Sequence, residues 1–209
     1  MKKSFTLLLF FTGSTLFLSG ALLAFSLPGL SPDGILSAHF ASEPYPFLTV
    51  LITLLTHLNS PLAVALYLLI IVGVLLYRKR KESIFFTVTA IAGTAIVNSL
   101  LKALIDRPRP ELRLVEIHSP SFPSWHSSTS AALALTLWLL FVHPLPDRAT
   151  KRLWSLILFL WPLLIGFSRL FLNAHWASDI LAGWGLGILI TALAAQLLLP
   201  VRENPHGDA

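Results

Sequence analysis

Ser119-Pro-Ser-Phe-Pro-Ser-Trp-His-Ser-Ser128 is polar, punctuated by Pro120 and Pro123, and set between apolar runs. His126 falls just before a long apolar run begins. Two other polar clusters point to the same region. One is Lys102 with Arg109-Pro110 upstream, and the other is Ser168-Arg169 with His175 and Asp179 downstream.

The flanks of this stretch decide the fold class. Apolar residues make up 55% of the chain and charged residues 12%, about half the charged share of a soluble domain. A helix needs about 20 apolar residues to cross a hydrocarbon layer of roughly 30 Å, so 209 residues leave room for five to seven spans. No polar block is long enough to fold alone. Residues 1–209 therefore read as one integral membrane domain. The chain has no cysteine, which excludes disulfides, thiolate catalysis and cysteine metal sites. Its positive charge falls mostly in short loops beside apolar runs, which is a topology signal and not a nucleic-acid footprint.

The expected architecture is all-α, with six transmembrane helices near residues 5–27, 61–77, 83–105, 127–142, 153–169 and 178–199. The first has a rival reading as a cleaved leader, but its apolar run exceeds the usual 7–15 or so residues of a signal peptide. Residues 28–46 carry four prolines and two glycines and read as a loop. Residues 47–58 read as a short helix, partly buried at the interface or fully inserted. Six spans put both termini on one side. Ten of the fifteen basic residues fall on that side, which predicts N-in, C-in topology and a cytoplasmic location for it. Lys102, Arg107, Arg109, Arg113 and Arg169 fall on the other side, against the rule.

Lys102 and Arg169 lie near the ends of spans, where ionisable groups usually mark a functional pathway. The alternative is snorkelling of long side chains to the headgroups. With Arg109 they gather three cations at one membrane face, and a dense anion such as phosphate is their natural partner. His126 and His175 lie on the same face, with Asp179 four residues after His175. That spacing puts both on one side if the segment is helical. A carboxylate can then hold one ring nitrogen as a donor and leave the other as a nucleophile. The alternative is an aspartate capping the last helix beside an interfacial histidine. The whole set suits phosphoryl transfer: one histidine to attack phosphorus, one to protonate the leaving oxygen, and cations to offset charge. Arg107 and Arg113 read as solvated loop charges, with assistance to a larger headgroup as the alternative, and Asn98 and Asn173 as interhelical or capping residues.

Three segments resemble the signatures of the type-2 phosphatidic acid phosphatase family. Lys102 followed by six residues and Arg109-Pro110 resembles the first. Pro123-Ser124-Trp125-His126 resembles the second, usually Pro-Ser-Gly-His. Ser168-Arg169, five residues, His175, three residues and Asp179 is similar to the third. The order is the family's, and the six-span layout extends the likeness over nearly the whole chain.

The resemblance implies a membrane lipid phosphatase that needs no metal or cofactor, related to the vanadium haloperoxidases. It implies His175 as nucleophile, Asp179 as its orienting partner and His126 as the acid for the leaving group. Lys102, Arg109 and Arg169 would bind phosphate, with Ser124, Trp125 and nearby backbone N–H groups completing the cradle. Implied substrates are undecaprenyl diphosphate, phosphatidylglycerol phosphate or phosphatidate, met at the extracytoplasmic face of the inner (plasma) membrane. A lipid A phosphatase, a lipid-to-lipid phosphotransferase and a non-catalytic lipid or anion transporter are the alternatives. Trp125 departs from the pattern, because glycine there permits positive φ and close approach of an anion. Tryptophan must adopt an ordinary φ or accept strain of roughly 1–3 kcal/mol.

Overall fold

The computed structural model describes residues 3–25, 32–41 and 45–199. The polar tail, with Arg202 and His206, and Lys2 lie outside the described residues. The helices in chain order are α1 (Lys3–Phe25), α2 (Pro32–Ala41), α3 (Pro46–His57), α4 (Pro61–Tyr77), α5 (Lys81–Ile105), α6 (Trp125–Leu137), α7 (Arg148–Phe171) and α8 (Ala177–Leu198), and a π-helical turn, Trp138–Val142, extends α6. Among the described residues, six segments are long and apolar enough to cross a membrane: α1, α3 with α4, α5, α6 with its π turn, α7 and α8. The chain is a multi-pass membrane protein.

Each predicted span is present within a few residues. The loop predicted over 28–46 is corrected, because α2 lies inside it. Pro32 takes the first helical position, where a missing N–H costs nothing, and the other prolines of that stretch fall outside α2. The corners of α5 and α7 carry non-glycine residues at positive φ, Asp106 at 47° and Asn173 at 47°, residue types that tolerate the left-handed region.

The bundle is assembled around α8, and small residues on α8 and on the facing side of α1 let two helices approach its backbone. Toward α1, a Cβ on Gly13 would stand 2.6 Å from the Leu189 nitrogen and one on Gly20 2.8 Å from the Ser178 carbonyl oxygen. Toward α6, a Cβ on Gly183 would stand 2.7 Å from the Ser124 carbonyl oxygen and 2.8 Å from Ser127 Cβ. Without a hydrophobic drive between helices in lipid, such close backbone packing is a main source of association. Gly183→Ala is therefore expected to force α6 off α8, at a cost of about 1–3 kcal/mol. A lower thermal unfolding midpoint in detergent would show it. Gly73→Ala, whose Cβ meets nothing within 4 Å, serves as the control and should not lower the midpoint.

At one end of the bundle α5 and α7 finish while α6 and α8 begin. This end is polar inside. Ser127, Ser128, Thr129 and Ser130 are all fully buried in the first turns of α6. Asn98 of α5 donates to Ser128 Oγ at 3.0 Å, and Asn59 donates to Thr129 Oγ1 at 2.9 Å and to the His126 carbonyl at 3.1 Å. Buried polar groups need such partners. Arg78, Lys79 and Arg80 in the α4–α5 turn, Lys81 at the start of α5, and Arg148, Lys151 and Arg152 at the start of α7 lie at the opposite end.

Candidate active site

Chain direction brings the three polar clusters together: the end of α5, the start of α6 and the α7–α8 corner share the polar end. A cavity of about 620 Å³ opens there, and Lys102, Arg109, Trp125, His126, Arg169 and His175 line it. Thr56, His57 and Ser60 from the α3–α4 corner close one side, and Val115, Glu116 and Ile117 from the α5–α6 connection close another.

His175 sits in the short α7–α8 corner and is 2% exposed. Its Nε2 lies 3.0 Å from Arg109 Nη1. A guanidinium can only donate, so Nε2 carries the lone pair and Nδ1 the proton. Nδ1 faces Asp179 Oδ2 at 3.4 Å. Burial first, then the positive charges of Arg109, Lys102 and Arg169, push the His175 pKa well below the usual 6.5. The imidazole is neutral at pH 7.

Asp179 is fully buried in the first turn of α8. Its Oδ2 accepts from Ser121 Oγ at 2.5 Å and from the Trp176 N–H at 3.0 Å, and its Oδ1 accepts from Arg107 Nη1 at 2.5 Å. The carboxylate thus caps α8 and faces His175 at once, so the two roles weighed from sequence coexist in one residue.

The cations are turned inward. Lys102 is 9% exposed and Arg169 4%, so neither snorkels. Lys102 Nζ donates to the carbonyls of Pro120 and, at 3.1 Å, Ser121. Arg109 donates to the carbonyls of Ser119 (2.7 Å), Pro120 (3.1 Å) and Ala174 (2.5 Å), tying the α5–α6 connection to the corner that holds His175. Burial lowers its pKa to about 10, Asp179 pulling upward and Arg113 downward, so it stays charged at neutral pH. Arg169 Nη1 donates to Thr56 Oγ1 at 3.1 Å. Its Nε is buried with no hydrogen-bond partner among the described residues. A buried unpaired donor on a cation is costly, and here it belongs to a residue lining the cavity.

Ser124 lies outside the cavity wall, whereas Trp125 is part of it. The Ser124 hydroxyl is fully buried, caps α6 by accepting from the Ser127 N–H (3.4 Å) and Oγ (3.0 Å), and is absent from the cavity wall. Its own N–H donates to the Asp179 carbonyl at 3.0 Å. Trp125 is the first residue of α6 and keeps a negative φ, so the strained alternative does not arise. Its N–H and that of His126 head the helix, where no intrahelical carbonyl reaches and an anion is favoured. The indole walls the cavity.

Arg107 is corrected most. It is no solvated loop charge: its side chain is 13% exposed and bridges Asp33 at 3.0 Å and Asp179 at 2.5 Å. Arg113 remains exposed, donating to the Pro110 carbonyl at 2.8 Å. Asp33, Thr56 and Ser121 join the site without having been singled out in the sequence.

A family model described as the PAP2 superfamily matches residues 83–202, which is more than half of the chain. The chain belongs to the PAP2 superfamily. It is 33% identical over 149 residues to phosphatidylglycerophosphatase B of Bacillus subtilis, covering 69% of this chain and 72% of that protein. It is 31% identical over 137 residues to the undecaprenyl-diphosphatase BcrC of the same organism, covering 61% and 65%. The crystal structure of a transmembrane PAP2-type phosphatidylglycerolphosphate phosphatase from Bacillus subtilis superposes with a TM-score of 0.76 at 28% identity, over 90% of this chain and 96% of that one. Within the PAP2 superfamily this chain is an enzyme of the lipid phosphatase class.

Proposed function

We propose that the protein hydrolyses a phosphate monoester or diphosphate of a membrane lipid through a phosphohistidine on His175, without a metal ion. The observation that carries this reading is the His175 ring, held neutral with its Nε2 lone pair 3.0 Å from Arg109 Nη1, in a cavity also lined by Lys102, Arg169 and His126.

Arg109, Arg169, Lys102 and the first N–H groups of α6 hold the phosphoryl oxygens and offset charge as it shifts onto the leaving oxygen. Nε2 forms the N–P bond as the P–O bond to the lipid breaks, and His126 gives the leaving oxygen a proton. Asp179 steadies the ring as it turns cationic. His126, now a base, takes a proton from water as that water attacks phosphorus. The N–P bond breaks, phosphate leaves and His175 is neutral again. Ser124 acts on this site through the cap and not as a phosphate ligand.

Phosphatidylglycerol phosphate and undecaprenyl diphosphate are the proposed substrates, supported by the relatives named for acting on them. The basic turns at the opposite end of the bundle support N-in, C-in topology, with the site at the extracytoplasmic face of the plasma (inner) membrane. One membrane domain spans residues 1–209 in this reading. Purified protein is expected to release phosphate from both lipids in excess EDTA, and vanadate, which mimics a five-coordinate phosphoryl group, should inhibit. Activity lost to EDTA and restored by a divalent cation would overturn the metal-free reading.

A further inference from the structure

Asp33 is a buried carboxylate on α2, 5% exposed, outside all three signature segments. Its Oδ1 accepts from the Ser178 N–H at 2.9 Å, and its Oδ2 accepts from Ser178 Oγ at 2.5 Å and from Arg107 Nη2 at 3.0 Å. Arg107 turns its other terminal nitrogen to Asp179 Oδ1 at 2.5 Å and to Ser178 Oγ at 2.8 Å, and its guanidinium lies 5.5 Å from the Trp176 ring centre. One turn further along α2, Ser37 Oγ donates to Asn173 Oδ1 at 2.9 Å. The helix thus braces both sides of His175, at Asn173 and at Ser178.

We propose that Asp33 and Arg107 are positioning residues for the phosphatase reaction, setting the place and the basicity of the Asp179–His175 pair through a carboxylate–guanidinium–carboxylate chain. The proposal rests on His175 as the nucleophile. With Asp179 as its sole anion, Arg107 would draw on that carboxylate alone and weaken its hold on the His175 proton. Asp33 shares the guanidinium, so Asp179 keeps more of its charge for the imidazole. A buried charge left without its partner is strongly disfavoured, so the chain works as a unit. Asp33 also takes up the Ser178 N–H in the first turn of α8, where helical N–H groups have no intrahelical acceptor. This locks the backbone beside Asp179.

The groups facing His175 are Arg109 of the α5–α6 connection, Lys102 of α5, His126 of α6, Arg169 of α7 and Asp179 of α8. Those facing Arg107 are Asp33 and Asp179. Removing the negative charge of Asp33 disfavours the imidazolium, so Asp33→Asn should move the acidic limb of the rate profile to lower pH. Removing the cation with Arg107→Gln should move it to higher pH. Asp33→Glu should keep the limb in place.

The test is single-turnover phosphoenzyme formation by the full chain in detergent. It uses phosphatidylglycerol [³²P]phosphate, with label on the transferred group, and an alkaline quench that preserves an N–P bond. One lipid serves for all variants, so its own titration cancels. Asp33→Asn is expected to slow labelling about tenfold to a hundredfold, by analogy with the outer partners that orient metal-bound histidines, with little change in KM. Wild-type rate and limb in Asp33→Asn would overturn the proposal while leaving His175 intact. So would equal losses in Asp33→Asn and Asp33→Glu with no movement of the limb, since that marks a purely structural role. If Asp33→Asn does not fold, Arg107→Gln decides: an upward shift supports the chain and an unmoved limb overturns it. Turnover by the wild type without any label would remove the His175 reading, and this proposal with it.

Discussion

His175→Ala is expected to reduce phosphate release at least about 10,000-fold, the scale on which removal of a covalent nucleophile acts, and to abolish phosphoenzyme labelling. The fold should survive. Asp179 would keep Arg107, Ser121 and the Trp176 N–H as partners, and Arg109 would keep its three carbonyl acceptors. An unchanged thermal midpoint beside lost turnover separates chemistry from collapse. The same residue sets the acid side of the pH profile. Only neutral imidazole attacks, so activity is lost as pH falls through the His175 pKa. Burial and the surrounding cations depress that pKa below 6.5 in the free enzyme, so kcat/KM should hold down to acidic pH before it declines. Wild-type release by His175→Ala would sink the mechanism.

The spans were legible because hydropathy and length are enough to mark them, and α8 followed from its apolar run after Asp179. The cluster was legible for a different reason. Lys102, Arg109 and Arg169 lie at the end of the bundle opposite the other basic clusters, and their spacing to the histidines does the rest. What sequence left open depended on partners far apart in the chain. Arg107, between Asp106 and Pro108, looks like any loop charge until Asp33, 74 residues away, closes on it. Asp33 itself was hidden by flanking prolines and glycines, which read as a loop although Pro32 is a permitted first helical residue. Ser124 was read from the resemblance as a phosphate contact alone, but it caps α6, a place that a serine just before a helical run favours. For Trp125, sequence posed the choice between ordinary φ and strain, and only the placement of α6 answered it.

His126→Ala is expected to slow the first step by about 100- to 10,000-fold, the usual worth of a positioned proton donor, but only where the leaving group needs the proton. A glycerol-lipid alkoxide is far too basic to leave unprotonated at neutral pH. A lipid phosphate leaving from a diphosphate has a second pKa near 6 and departs as an anion. The loss in the first step should therefore be large with phosphatidylglycerol phosphate and small with undecaprenyl diphosphate. The second step is common to both, and it should slow in either case because His126 also takes the proton from the attacking water. With the diphosphate, labelled His175 should then accumulate in His126→Ala, since formation stays fast while hydrolysis of the N–P bond is slow. With the monoester it should not accumulate, since both steps are slow. Rapid-quench labelling with each lipid reads the two steps separately. Equal loss of the first step on both substrates would count against His126 as the acid and leave it, at most, a role in activating water.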